Sequence, residues 1–194
     1  MKKLQVLATL LLCSQTTLAD TTSDLVDAAT EGQTNTIQAL LSGGADLRAA
    51  GGTAVISAAY SALERQGNGE SFDDQVEAVR ILVNAGADPN AHLDNGITTL
   101  MLMAILGQAD AVRDLLAAGA DVNTANNADG GTALIFAVYG GSTEIVSQLI
   151  EAGADLNVKD AGTGNDNGRT ALSYAEEKNH AEITAVLRQA GATP

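Results

Sequence analysis

One short unit returns along this chain at a near-constant interval, and it restricts the fold more than any other feature. Its copies are Gly43-Gly44-Ala45-Asp46-Leu47, Ala85-Gly86-Ala87-Asp88-Pro89-Asn90, Ala118-Gly119-Ala120-Asp121-Val122-Asn123 and Ala152-Gly153-Ala154-Asp155-Leu156-Asn157, with a clipped copy at Ala190-Gly191-Ala192. The aligned glycines are 42, 33, 34 and 38 residues apart. A period of this length signals one supersecondary unit repeated and stacked, because a single unit cannot bury its own apolar face. Each full copy follows an apolar stripe: Ile37, Leu40 and Leu41; Val79, Leu82 and Val83; Val112, Leu115 and Leu116; Ile145, Val146, Leu149 and Ile150. The i, i+3, i+4 spacing puts each set on one face of a helix. The glycine then ends that helix, since it enters the left-handed region without a Cβ clash.

A second motif follows each copy: Thr53-Ala54-Val55, Thr98-Thr99-Leu100, Thr132-Ala133-Leu134 and Thr170-Ala171-Leu172, with Ser23-Asp24-Leu25 opening the chain in the same way. The hydroxyl is expected to cap a new helix by accepting a backbone N–H. Turn pairs precede most of these caps, as in Asn95-Gly96, Asp129-Gly130 and Asn167-Gly168. Small residues follow, as in Ala28-Ala29, Ala58-Ala59, Met103-Ala104 and Ala137-Val138, and allow close helix approach.

This order of turn, helix, loop, helix and Gly-Ala-Asp resembles the ankyrin repeat. The resemblance runs from Ser23 to Ala192. It implies an all-α solenoid of about five helix-turn-helix repeats joined by short β-turn hairpins, with repeats near 23–49, 50–91, 95–124, 129–158 and 167–192. The chain departs from the family's Thr-Pro-Leu-His element: Ile56, Met101, Ile135 and Ser173 stand where His is usual. The Thr–His hydrogen bonds that tie neighbouring repeats are therefore missing, and apolar packing is expected to compensate. His180 stands at the family's Gly-His position, after Asn179. Glu176, Glu177 and Lys178 give the last repeat the polar side that a terminal repeat needs.

Two insertions break the period. Ala62 to Arg65 is expected to lengthen an inner helix, and Gln66 to Ser71 to form a flexible loop. The turn from Val158 to Arg169 is also long. In repeat proteins such insertions map to loops, often on the binding face.

Residues 1–19 read as a secretory leader. Lys2 and Lys3 form a basic start, Leu4 to Leu12 is nearly all apolar, and Thr17-Leu18-Ala19 matches a cleavage site. Leu12 before Cys13 is not the small residue that a lipoprotein signal needs. The apolar run is too short for a permanent bilayer anchor. The expectation is a periplasmic protein whose mature domain is 20–194. Cys13 is the only cysteine, so that domain would contain no thiol. The formal charge of −14 would become −16 without the two leader lysines. Such a surface repels nucleic acid and anionic lipid and favours a basic protein partner.

Reaction chemistry is not indicated. His92 and His180 lie in different repeats with no ligand at zinc spacing, and read as a turn residue and a helix-start residue. There is no nucleophile elbow and no Gly-rich loop leading to Lys-Ser/Thr. Asn165-Asp166-Asn167-Gly168 fails as a calcium loop, because Thr163 and Tyr174 stand where Asp and Glu are required. Asp73-Asp74 reads as a helix start favoured by the dipole. No enzyme activity, cofactor or metal is expected.

The resemblance implies binding at turn tips and the exposed ends of inner helices. By motif position the inner-helix sites are Thr30-Glu31, Tyr60-Ser61, Ile105-Leu106, Tyr139-Gly140 and Glu177-Lys178. Tyr60, Ile105, Leu106 and Tyr139 would form an apolar stripe on the concave face. The turn sites are Asp94, Asn95, Ile97, Asp129, Asp166 and Arg169. The expected function is protein–protein interaction by a monomer. Its narrower versions are an immunity or inhibitor protein against a basic toxin or hydrolase, and, by family resemblance alone, a stress-related accessory to a catalase-type enzyme. A periplasmic hydrolase is the remaining alternative.

Overall fold

The computed structural model describes residues 18–161 and 168–193. The leader's basic start, apolar run and Cys13 lie outside the described residues, as does the Thr163–Asn167 stretch. Ten helices are described, and the only strand-like pairings among the described residues are two antiparallel bridges, His92 with Thr98 and Ala125 with Thr132. The all-α repeat solenoid expected from the periodicity is what the chain forms. It divides into two compact units, the first ending at Ala91 and the second beginning at His92.

The first unit holds α1 (Leu18–Thr30), α2 (Thr34–Ser42), α3 (Leu47–Gly67) and α4 (Asp73–Asn84). α1 packs on α2 and α3, and α4 packs on α2 and α3. Leu25, Ile37, Val55, Val79 and Leu82 are buried between them. Ser23 lies inside α1 instead of capping a helix start.

Thr53 is also not a cap. It sits exposed within α3, a continuous helix of 21 residues that begins at the Asp46 cap, whose carboxylate accepts from Arg48 N at 2.8 Å. The spacing explains the difference. Thr53 follows Asp46 by seven positions, whereas Thr98 follows Asp88 by ten and Thr132 follows Asp121 by eleven. Seven residues leave too little chain for the hairpin turn, and the segment continues as helix. Gly51 allows this, because a Cβ there would stand 3.0 Å from Ala87 Cβ.

The lengthened inner helix is present, but Gln66 and Gly67 belong to it and not to a loop. The turn that follows is closed by Asn68 N to Glu64 O at 3.1 Å, Glu70 N to Arg65 O at 2.9 Å and an Arg65–Glu70 ion pair at 3.2 Å. Asp73 and Asp74 occupy the first turn of α4, where the helix dipole favours them.

The second unit holds α5 (Thr99–Ile105), α6 (Ala109–Ala117), α7 (Ala133–Gly140), α8 (Thr143–Glu151), α9 (Ala171–Glu177) and α10 (Ala181–Gln189). α5, α7 and α9 stack as the inner row, and α6, α8 and α10 as the outer row. Here two of the three threonines cap as expected. Thr98 and Thr170 accept from Met101 N and Ser173 N at 3.3 and 3.2 Å. Thr132 holds the cap position without that bond.

Met101 and Ser173, standing where histidine is usual, bond back to the capping threonines. Met101 Sδ accepts from Thr98 N at 3.5 Å, and the Ser173 and Thr170 hydroxyls are 3.1 Å apart. Polar ties between repeats come instead from the asparagines that end two of the motif copies. Asn123 accepts from Asp155 N at 2.8 Å and donates to Gly153 O at 3.2 Å. Asn157 accepts from Thr193 N at 2.8 Å. Polar bonds thus join the apolar packing that the sequence led us to expect.

Candidate functional site

The inner row of the second unit carries a cluster of two tyrosines and two cations. Tyr139 stands near the C-terminus of α7, at a position the repeat does not specify. Its neighbour α9 supplies Tyr174, and the ring centres are 4.8 Å apart with a 49° tilt. α9 ends at Glu177, and the next residue, Lys178, places its ammonium 4.4 Å from the Tyr139 ring centre. Arg169, just ahead of the Thr170 cap, lies 5.6 Å from the Tyr174 ring centre and pairs with Glu177 at 2.6 Å. Arg169, Tyr174, Tyr139 and Lys178 therefore form one chain of contacts.

Asp160 anchors this chain from beneath. It is buried, accepts the Tyr174 hydroxyl, and accepts from Arg169 N at 2.8 Å, while its own N–H donates to Arg169 O at 3.1 Å. These bonds close the neck of the long turn between residues 160 and 169. Burial pushes the Tyr174 phenol well above its ordinary value, and the hydrogen bonds to Asp160 and Tyr139 push the same way. Tyr174 thus stays a neutral donor, buried and held, while Tyr139 keeps 44 % of its surface exposed.

The other expected site residues lie outside this cluster. Asp94 and Asn95 are exposed at the tip of a hairpin and Ile97 is half-buried beside them; Asn95 accepts from Ile97 N at 3.2 Å, and its carbonyl accepts from Asn127 N at 2.8 Å. Asp129 is exposed too, but its carboxylate is used within its own turn, accepting from Asn126 Nδ2 and Gly131 N. Ile105 is half-buried. Leu106 corrects the expectation: as the residue that ends α5, it turns into the core and is only 5 % exposed, so it leaves the apolar stripe. Tyr60 is 42 % exposed on α3 of the first unit. Asp166 lies outside the described residues. Of the ten, Tyr139 and Arg169 share the cluster.

Tyr174 and Asp160 were not legible as site residues, because the bond between them spans the long turn. His180 is the residue before α10, its imidazole under Gly141, where a Cβ would stand 3.4 Å from Cε1. His92 is exposed in the hairpin. Among the described residues no group of His, Cys, Asp and Glu is placed to hold a metal ion, and no helix is long and apolar enough to cross a membrane.

A profile of three consecutive ankyrin repeats matches residues 70–160 and again 100–194. The chain belongs to the ankyrin-repeat family. It is similar to Cyclin-dependent kinase 4 inhibitor B of Rattus norvegicus, 37 % identical over 116 residues that cover 60 % of this chain and 85 % of the relative. An ankyrin repeat-containing protein of Treponema pallidum is 28 % identical over 142 residues, 73 % of this chain and 46 % of that protein. Protein PhlB of Serratia liquefaciens is 37 % identical over 89 residues, 46 % of this chain and 39 % of that protein. Ankyrin repeats present side chains on a stacked scaffold to other proteins. The chain is accordingly a binding protein and not an enzyme.

Proposed function

We propose that this ankyrin-repeat protein is exported to a bacterial periplasm and there binds a basic protein, as a monomer, through the inner-helix face of its second unit. The observation that carries the reading is Tyr139: an aromatic side chain left 44 % exposed yet held by Tyr174 and Lys178. Ordered, amphipathic aromatics ringed by polar groups make binding anchors, because little freedom is lost when they are covered. The leader-like residues 1–19 support export, with residues 20–194 as the working domain of about five repeats. The charge of −14 supports a basic partner.

The test is capture of a partner by crosslinking the tagged full chain in its source organism, with Tyr60→Ala and Tyr139→Ala variants beside it. A stoichiometric partner lost with Tyr139→Ala, in a variant that melts like the parent, is the expected result. A partner retained by that variant would remove Tyr139 from the interface. Release of the chain by osmotic shock, with a new N-terminus after Ala19, is expected for the periplasmic location.

Similarity to a kinase inhibitor favours one narrower reading, in which the partner is an enzyme or toxin that this chain blocks. A captured partner whose activity falls to zero at one equivalent would support it. Unchanged activity at saturation would leave a binding role alone.

A further inference from the structure

We propose that the Tyr139 ring is a seat for a cationic side chain of the partner, arginine above all, and that Lys178 occupies this seat in the free chain. The inference rests on the binding face proposed above and names what that face takes. The cluster already shows its preference: both stacked rings carry a cation of the chain's own, Arg169 near Tyr174 and Lys178 over Tyr139. The ring quadrupole attracts positive charge, and a planar guanidinium also stacks on it.

The two cations are held differently. Arg169 is fixed by the ion pair to Glu177 and by backbone bonds to Asp160. Lys178 is exposed at the end of α9, and the glutamates before it are engaged elsewhere, Glu176 with Arg188 at 2.8 Å and Glu177 with Arg169. A long, flexible side chain on an exposed ring is displaced at small cost. An incoming arginine would find the vacated ring on a chain of net charge −14.

Two alternatives differ in sign. If Lys178 instead met a carboxylate of the partner, removing it would weaken binding. If charge alone governed binding, removing any lysine would tighten binding equally.

The probe is a fluorescently labelled peptide of six arginines, titrated against the full chain at 0.15 M salt and read by anisotropy. Lys178→Ala is expected to tighten binding about two- to fivefold, the size of an exposed cation–ring contact. Lys159→Ala, an exposed lysine on the adjoining turn, is expected to change it less. In a Tyr139→Leu background the gain from Lys178→Ala is expected to vanish, which a double-mutant cycle reads directly. Thermal melts followed by circular dichroism confirm that each variant is folded.

Looser binding by Lys178→Ala, a gain no larger than that of Lys159→Ala, or a gain that persists without Tyr139 would each overturn the proposal. Such a result beside a natural partner still lost in Tyr139→Ala would remove the seat and leave the binding face standing. A coupled cycle with no loss of the natural partner would do the reverse.

Discussion

Lys178 holds its ammonium over Tyr139 although 39 positions separate the two along the chain. Both stand at inner-helix ends, where successive repeats carry different residues. The scaffold makes the pairing possible: α7 and α9 are held in register by bonds at motif positions, so unrelated side chains at their ends meet. Their order depends on the Tyr174 ring behind Tyr139, and Tyr174 depends on Asp160.

Tyr174→Phe is therefore expected to destabilise the chain by about 1–3 kcal/mol, since it removes the hydrogen bond that the Tyr174 hydroxyl gives to the buried Asp160 carboxylate. It should also remove a pH dependence. The folded-state phenol titrates above the unfolded value of about 10, so its contribution to stability is complete below pH 10 and falls as pH rises beyond it. Urea midpoints measured from pH 8 to 11 should decline in the parent and decline less in Tyr174→Phe. Parallel slopes would mean that the phenol ionises as freely in the folded chain as in the unfolded one.

The capping threonines separate into two classes. Thr98 and Thr170 accept backbone N–H groups, and alanine at either should cost about 1 kcal/mol. Thr132 makes no such bond, and Thr53 lies within α3. Alanine at these two positions should cost less, measured as the urea midpoint shift of each single variant. Equal losses at all four would show that a common property of the motif, and not the cap bond, carries the effect.

The contrast at Thr53 shows what the sequence could and could not disclose. The helix ends were legible, because a glycine at the same place in every copy adopts positive φ, from +87° to +97°. The caps of the second unit were legible because hydroxyl and turn glycine keep their distance. At Thr53 the motif is intact but the spacing before it is short, and spacing decided the conformation. Tyr139 could be placed by its position in the repeat. Leu106 could not be distinguished from Ile105 in the same way, because adjacent residues at a helix end face different sides and only packing decides which. The Tyr174–Asp160 bond joins positions on either side of a long turn that no periodicity describes.

The ties between repeats are also open to test. Asn123 links its own turn to the next through Asp155 N and Gly153 O. Asn123→Ala is expected to cost about 1 kcal/mol, near the low end for two bonds because water reaches this exposed turn. In a stacked chain the loss should fall on the interface between neighbouring repeats. Hydrogen exchange should thus speed up in the turn near Asp155 more than in α5. Uniform acceleration across the second unit would mean that it opens only as a whole.

Gly140 and Gly153 separate close packing from backbone strain. A Cβ at Gly140 would stand 2.7 Å from Ile105 O and 2.9 Å from Ala104 O, both fixed backbone atoms of the neighbouring inner helix. Neither carbonyl can move without disturbing α5, so Gly140→Ala should cost about 1–3 kcal/mol through overpacking. It should also displace Tyr139, the adjoining residue, and weaken partner binding. Gly153 has φ +87° and nothing within 4 Å of its would-be Cβ. Gly153→Ala should cost about 1–2 kcal/mol through the left-handed backbone alone. Gly153→Asn should recover part of that loss, since asparagine tolerates this conformation, whereas Gly140→Asn should be worse than Gly140→Ala. Urea midpoints of the four variants check the pattern. Recovery at position 140 with asparagine would show that α5 and α7 have room to separate, and that the glycine there is not what brings them together.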